Sequence, residues 1–168
     1  DDAIPLEATG VLAMLGPHRE IWERARPYLG VRDNDAHTLY AYGIARTLCE
    51  AVPEADAEVV LPAILLHDTG WSQVPEDLVL HAISPRGGRP ELVLQHEREG
   101  ARIAEAVLEE LGYGRELITE VSDIVLTHDS MREAKSVNDA VVKDADKVWR
   151  LTPHGLDTVM DWFGLDRA

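Results

Sequence analysis

Cysteine occurs once in the 168 residues, at Cys49. A single thiol excludes an intramolecular disulfide and suits a reducing compartment. Beside Leu48 in a helical pattern, Cys49 reads as part of a core. Positive charge is also scarce: 16 Lys and Arg stand against 31 Asp and Glu, a formal net charge of −15. Such a surface repels phosphate backbones and anionic lipid, so nucleic acid and membrane are not the expected partners. A small anionic substrate would need positive charge at its own site. No apolar run approaches the roughly 20 residues of a membrane span, and no signal peptide is visible. A cytoplasmic protein is expected. Strand-like alternation, internal repeats, linkers and low-complexity segments are all missing, and aromatic residues make up only 5%.

What is present is helix-forming. Apolar residues make up 45% of the chain, which is enough for a sizeable core. Ala, Leu, Val and Glu dominate. We expect one all-α domain over residues 1–168, with its core over about 33–151. Residues 1–30 read as an N-terminal arm (1–10) followed by one or two short helices, broken at Gly16-Pro17 and Pro27. Asp33, Asn34 and Asp35 offer N-caps for a helix through about Ala51. Its inward face is His37, Tyr40 or Ala41, Ile44 and Leu48. A helix over Glu54–Asp68 should kink or break at Pro62. The breakers between Trp71 and Pro90 predict a long loop, of the kind that serves as a lid, with a short helix around Glu76–His81. Helices follow over Glu91–Leu111 and Glu116–Asp129. Ser136 or Asn138 then caps a helix running to Arg150 or Leu151. A last helix starts at Pro153 and ends near Phe163, with Gly164 as its stop.

The chemistry concentrates where apolar stripes carry a polar residue. The apolar run Val59–Leu66 finishes in His67-Asp68, and Gly70 should stop that helix. An imidazole and a carboxylate do not enter a core cheaply without a partner. The pair could be a helix terminus at which His67 caps carbonyls and Asp68 faces water. Yet His37, His96, His128 and Asp146 also sit on apolar stripes, each on a different helix. Four histidines and two carboxylates on converging faces point to shared metal, since helical bundles build metal sites from inward side chains of facing helices. Six ligands exceed what one tetrahedral ion needs, so two ions are expected. Asp68 could bridge them, with water or hydroxide as a second bridge. Iron, manganese, nickel, cobalt and zinc all accept imidazole and carboxylate.

The order His37, His67-Asp68, then Asp146 within Asp144-Ala145-Asp146-Lys147-Val148, resembles the HD-domain superfamily of metal-dependent phosphohydrolases. The likeness covers about Asp33–Arg150. With His96 and His128 added, it resembles the dinuclear subset, which includes HD-GYP cyclic-dinucleotide phosphodiesterases. The mixed-valent diiron oxygenases, such as inositol oxygenase and the phosphonate-cleaving oxygenases, use a similar set. The resemblance implies that His37, His67, Asp68 and Asp146 hold one metal, and that His96, His128 and the bridging Asp68 hold the other. It places the acidic ligand just before Lys-aliphatic, hence at Asp146. Asp144 lies about 200° around the helix.

Two departures stand out. Trp71 occupies the position three residues after the Asp of His-Asp, where many hydrolytic members carry lysine. The Gly-Tyr-Pro signature is absent. Both point away from cyclic dinucleotides. Positive charge could come from Lys147 and Arg150, near Asp146, or from Arg86 and Arg89; each could equally be a surface cation. Asp129, Glu97 and Arg98 flank histidines of the set. They could hydrogen-bond to it or face solvent. His18, His81 and His154 have no evident place in it.

The resemblance therefore implies a metal-dependent hydrolase of a small phosphate ester or nucleotide, with metal-bound hydroxide as nucleophile. Catalytic roles would fall to Asp68, Lys147 and Arg150. The alternative is a mixed-valent diiron oxygenase acting on a small chelating substrate. A non-catalytic metal-binding domain fits a complete ligand set less well. The partner is a small molecule, and the sequence is compatible with a homo-oligomer.

Overall fold

The segment Ala57–Leu66 has no polar face: Val59 through Leu66 are all buried. A helix apolar on every side must lie inside other helices, and in the computed structural model of the chain it does. The structure describes residues 16–85 and 88–166. Among these are eight α-helices and no strand: α1 (Gly16–Ala25), α2 (Asn34–Ala51), α3 (Ala57–Leu66), α4 (Glu76–Ala82), α5 (Pro90–Glu110), α6 (Arg115–Thr127), α7 (Val137–Val148) and α8 (Pro153–Trp162). Helix α3 packs against α1, α2, α5, α6 and α7. The expected arm over residues 1–10 and the start of the first helical segment lie outside the described residues.

Local chemistry sets the helix ends. Asp56 caps α3 by accepting from the Glu58 N–H at 2.9 Å. Ser136 caps α7 by accepting from the Asp139 N–H, while Asp139 Oδ2 accepts from the Lys135 N–H at 2.8 Å. This reciprocal arrangement follows capping-box logic. Asn138, the other candidate cap, instead joins α7 to its neighbours, accepting from the Asp56 N–H and donating to Glu120. Thr152 caps α8, and Gly164, at φ 61, ends it.

Two expectations are corrected. Pro62 does not break α3. Gly70 does not stop it either: α3 ends at Leu66, and a 3-10 turn over Thr69–Gln73 follows His67-Asp68. Gly70 is required for closeness. A Cβ there would overlap the His96 carbonyl oxygen and lie 2.6 Å from the Gly100 nitrogen, so the turn lies directly on the α5 backbone. Between Trp71 and Pro90 the expected short helix is present as α4, with a 3-10 turn ahead of it. The 3-10 turn and α4 fill the first half of that segment, and Trp71, Val74, Val79, Ala82 and Leu92 form a small second core beneath it.

Candidate metal centre

His67 and Asp68 leave α3 at its C-terminal end, in the middle of the molecule. The His67 Nδ1–H donates to the Ile64 carbonyl at 2.7 Å, which turns Nε2 away from its own helix. His128, at the end of α6, has the same arrangement, with Nδ1–H donating to the Val125 carbonyl at 2.7 Å. Fixing the proton on Nδ1 leaves each Nε2 lone pair free in the neutral ring, as a metal ligand requires. His37 comes from α2, His96 from α5 and Asp146 from α7. All five of these side chains, with Asp68, are buried.

The atoms fall into two groups that share Asp68. In the first, His37 Nε2 lies 3.2 Å from His67 Nε2, 3.2 Å from Asp68 Oδ2 and 3.0 Å from Asp146 Oδ1. In the second, His96 Nε2 lies 3.3 Å from His128 Nε2, and Asp68 Oδ1 lies 3.5 Å from His128 and 3.9 Å from His96. Asp68 thus turns one oxygen to each histidine pair. Asp129 completes the second group, with Oδ2 at 3.2 Å from His96 Nε2 and 3.5 Å from His128 Nε2.

These separations suit a metal ion. Ligands about 2.1 Å from a common ion stand about 3.0–3.4 Å apart in octahedral or tetrahedral arrangement. With its proton held on Nδ1, His67 turns an Nε2 lone pair toward His37 Nε2 at 3.2 Å beside carboxylate oxygens, an arrangement that a cation between them satisfies. Protons are the other cation available, and the electrostatics reflect this. Burial pushes the His67 pKa down, but Asp68 and Asp146 outweigh burial and hold it well above the ordinary value. His37 is raised in the same way, against burial, by Asp146 and Asp68. His128 rises to about 9, because Asp129 and Asp68 overcome its burial. Burial would raise Asp68 and Asp146; their histidine neighbours hold both well below the ordinary carboxylate value instead. Imidazole Nδ1 of His37 and of His96 is buried with no hydrogen-bond partner among the described residues.

The cluster opens into a cavity whose floor includes His37, Asp68, Asp129 and Asp146. Trp71, Trp149 and Trp162 form much of its wall, with Val79 and Ile83 from the α4 segment. Its volume is about 60 Å3, well below the roughly 150 Å3 of a cavity that holds benzene, so it suits a small ligand. Trp71 lies flat against His96, with ring centroids 3.8 Å apart.

The six predicted ligand residues are therefore brought together, and Asp144, two residues before Asp146, is exposed. Of the predicted cations, Arg150 lines the cavity. Lys147 does not: it is mostly exposed, with Nζ 3.9 Å from Asp146 Oδ2. Arg89 pairs with Glu91 on the surface, Arg86 lies outside the described residues, and Arg98 and His81 are exposed. His154 packs on Tyr40 and accepts from Trp149 Nε1, and His18 contacts Tyr42. Glu97 is fully buried and accepts from both the Asp129 and Ser130 N–H groups at 3.0 Å, which fixes the turn carrying Asp129.

Sequence reading left Asp129 without a firm role and missed Arg32, Asn34 and Trp162, which also line the cavity. Asp129 had a signal: His128-Asp129 repeats His67-Asp68 at the end of a second apolar helix. Arg32 and Trp162 had none, because neither lies on a helix stripe that leads to the site.

The family model described as HD domain matches residues 34–151. No curated protein and no solved structure matches the chain.

Proposed function

The chain belongs to the HD-domain family, and on that premise we propose that it is a metal-dependent phosphohydrolase acting on a small phosphate ester or nucleotide. The observation that carries this reading is Asp68, which offers one carboxylate oxygen to each of two buried histidine pairs at the floor of a cavity lined by arginine. His37, His67, Asp68 and Asp146 would hold one divalent ion. His96, His128 and Asp68, with Asp129 within reach, would hold a second. Bound there, two divalent ions supply Lewis acidity toward a phosphoryl oxygen and lower the pKa of a coordinated water.

The chain's own residues do the rest. The Nδ1–H bonds of His67 and His128 to Ile64 and Val125 fix which imidazole atom faces the centre. Trp71, stacked on His96, and Trp149, 4.4 Å from the His37 ring, keep bulk water from both pairs. Arg150 supplies positive charge on the substrate side. Lys147 is placed to offset the charge of Asp146 rather than to touch substrate.

The test is phosphate release from a panel of small monoesters and nucleotides, under anaerobic conditions, by protein loaded with manganese, cobalt, nickel or zinc. Turnover under those conditions supports the proposal. Turnover that needs both iron and dioxygen would replace it with the second reading, a diiron oxygenase. One observation favours that second reading: a buried, uncharged indole at Trp71 stands where a phosphate-binding lysine is expected.

A further inference from the structure

Arg32 and Arg150 line the same cavity, and neither has an ion-pair partner among the described residues. In a chain with 31 acidic and 16 basic residues, carboxylates are plentiful, so two cavity arginines without one are available to a ligand. Arg32 Nε is buried and has no hydrogen-bond acceptor among the described residues; the same holds for Trp162 Nε1. Buried donors are normally satisfied, and here two of them line one cavity. Arg32 is also held at φ 51, a left-handed conformation that non-glycine residues rarely adopt.

The three groups come from separate elements: the loop before α2, the 3-10 turn after α7, and the end of α8. Each is more exposed than the buried floor of His37, Asp68 and Asp146, so they form the outer part of the cavity. Apolar wall from Trp149, Val79 and Ile83 lies around the same space. The floor handles the reacting group; the outer donors need an acceptor of their own.

We infer that Arg32, Arg150 and the Trp162 indole N–H form a second, outer oxyanion site, and that the substrate is a small molecule carrying a carboxylate or phosphate-type anion besides its reacting group. This deepens the reading above, since it assumes that the reacting group is held at the metal centre. Guanidinium groups recognise carboxylate and phosphate oxygens through the same paired N–H geometry.

The test is calorimetric binding to zinc-loaded protein. The probes are ω-carboxyalkyl phosphonates with one to three methylenes, each compared with the alkyl phosphonate of equal length. Phosphonates have no ester to hydrolyse and zinc has no redox chemistry, so binding is read without turnover. A failed phosphatase assay would count against the reaction and leave this result untouched. The best carboxylated ligand should bind at least about tenfold tighter than its alkyl counterpart, the range of a charge-assisted hydrogen bond. Arg32→Gln should remove most of that advantage, while zinc content and alkyl phosphonate affinity stay as in the wild type; Arg150→Gln should also remove most of it, with zinc content unchanged. Trp162→Phe should remove a smaller part, and Arg32→Lys should retain some of it. Equal binding of the two ligand types by the wild type would overturn the inference. So would an advantage that persists in both glutamine variants.

Discussion

The indole of Trp71 lies parallel to the imidazole of His96, with centroids 3.8 Å apart and planes 10° from parallel. The two residues come from different elements, the 3-10 turn after α3 and helix α5, and both are buried. The stack helps fix the orientation of a ring whose Nδ1 has no hydrogen-bond partner among the described residues and whose polar contacts are all through Nε2. Trp71→Ala should destabilise the metal-free protein by about 3–5 kcal/mol, the cost of emptying a large aromatic site. It should also weaken the second metal more than the first. Denaturant titration and metal analysis together check this; full two-metal affinity in the variant would show that the stack does not orient His96.

Gly70 and Gly100 permit the contact that brings Trp71 over His96. A methyl group at Gly70 would collide with the α5 backbone, which cannot move aside as a side chain can. Gly70→Ala should cost about 3 kcal/mol or more, as overpacking against backbone does. Gly114, where a Cβ would meet nothing within 4 Å, gives the matched control. Gly114→Ala should stay within about 0.5 kcal/mol of the wild type in chemical denaturation.

The two acids of Asp144-Ala145-Asp146 should separate cleanly by metal analysis. Asp146 faces His37 and His67, whereas Asp144 is exposed. Asp146→Asn should lose metal from the first group, and Asp144→Asn should retain it. Asp129→Asn should lower only the second occupancy, since Asp129 reaches His96 and His128 but not the other pair.

Protons and metal compete for the same atoms, and the sign of the pH dependence follows. His128, at about 9 against an ordinary 6.5, is protonated in the metal-free protein near neutrality, and His37 and His67 are raised in the same direction by Asp68 and Asp146. Their contribution to folding is complete below about pH 6.5 and is lost as pH rises through the folded values. Asp68 and Asp146, both lowered, contribute above their ordinary 3.8 and lose that contribution as pH falls below it. Metal-free stability should therefore decline from pH 6.5 toward 9, while metal affinity rises over the same range. Metal binding at pH 7 should also release protons, seen as a calorimetric heat that varies with buffer ionisation enthalpy. Affinity independent of pH would mean that the histidines are not the ligands.

Lys143 and Asp139 form a buried i,i+4 ion pair at 2.7 Å, and Lys143 Nζ also donates to the Thr127 carbonyl at the end of α6. The pair ties α7 to the residue just before His128. Lys143→Met should cost about 3–5 kcal/mol, because it strands a buried carboxylate. Removing both charges in Lys143→Met/Asp139→Asn should recover part of that loss, as measured by a double-mutant cycle.

The sequence by itself determined the helices and their buried faces. Periodicity of 3.6 residues is a local property, so a histidine or aspartate on an apolar stripe is visible as an inward polar group before any partner is known. His37, His96 and Asp146 were legible in this way. His67 and His128 were legible as polar ends to apolar runs, and the all-α class followed from the same pattern. Tertiary structure decided which of those faces meet, and how closely. That Asp68 splits its oxygens between two histidine pairs depends on four helices converging to within hydrogen-bond distances, which no local pattern encodes. Gly70 read as a helix stop because glycine often is one. Only the approach of the α5 backbone shows that it is there to lack a side chain. The short helix within the Trp71–Pro90 segment was legible, but the 3-10 turn at Trp71 read as loop because its breakers are local, while the burial of Trp71 and Val74, which orders it, is not. Arg32 and Trp162 reach the cavity from a left-handed turn and from the end of the last helix, and a position of that kind exists only once the chain has folded.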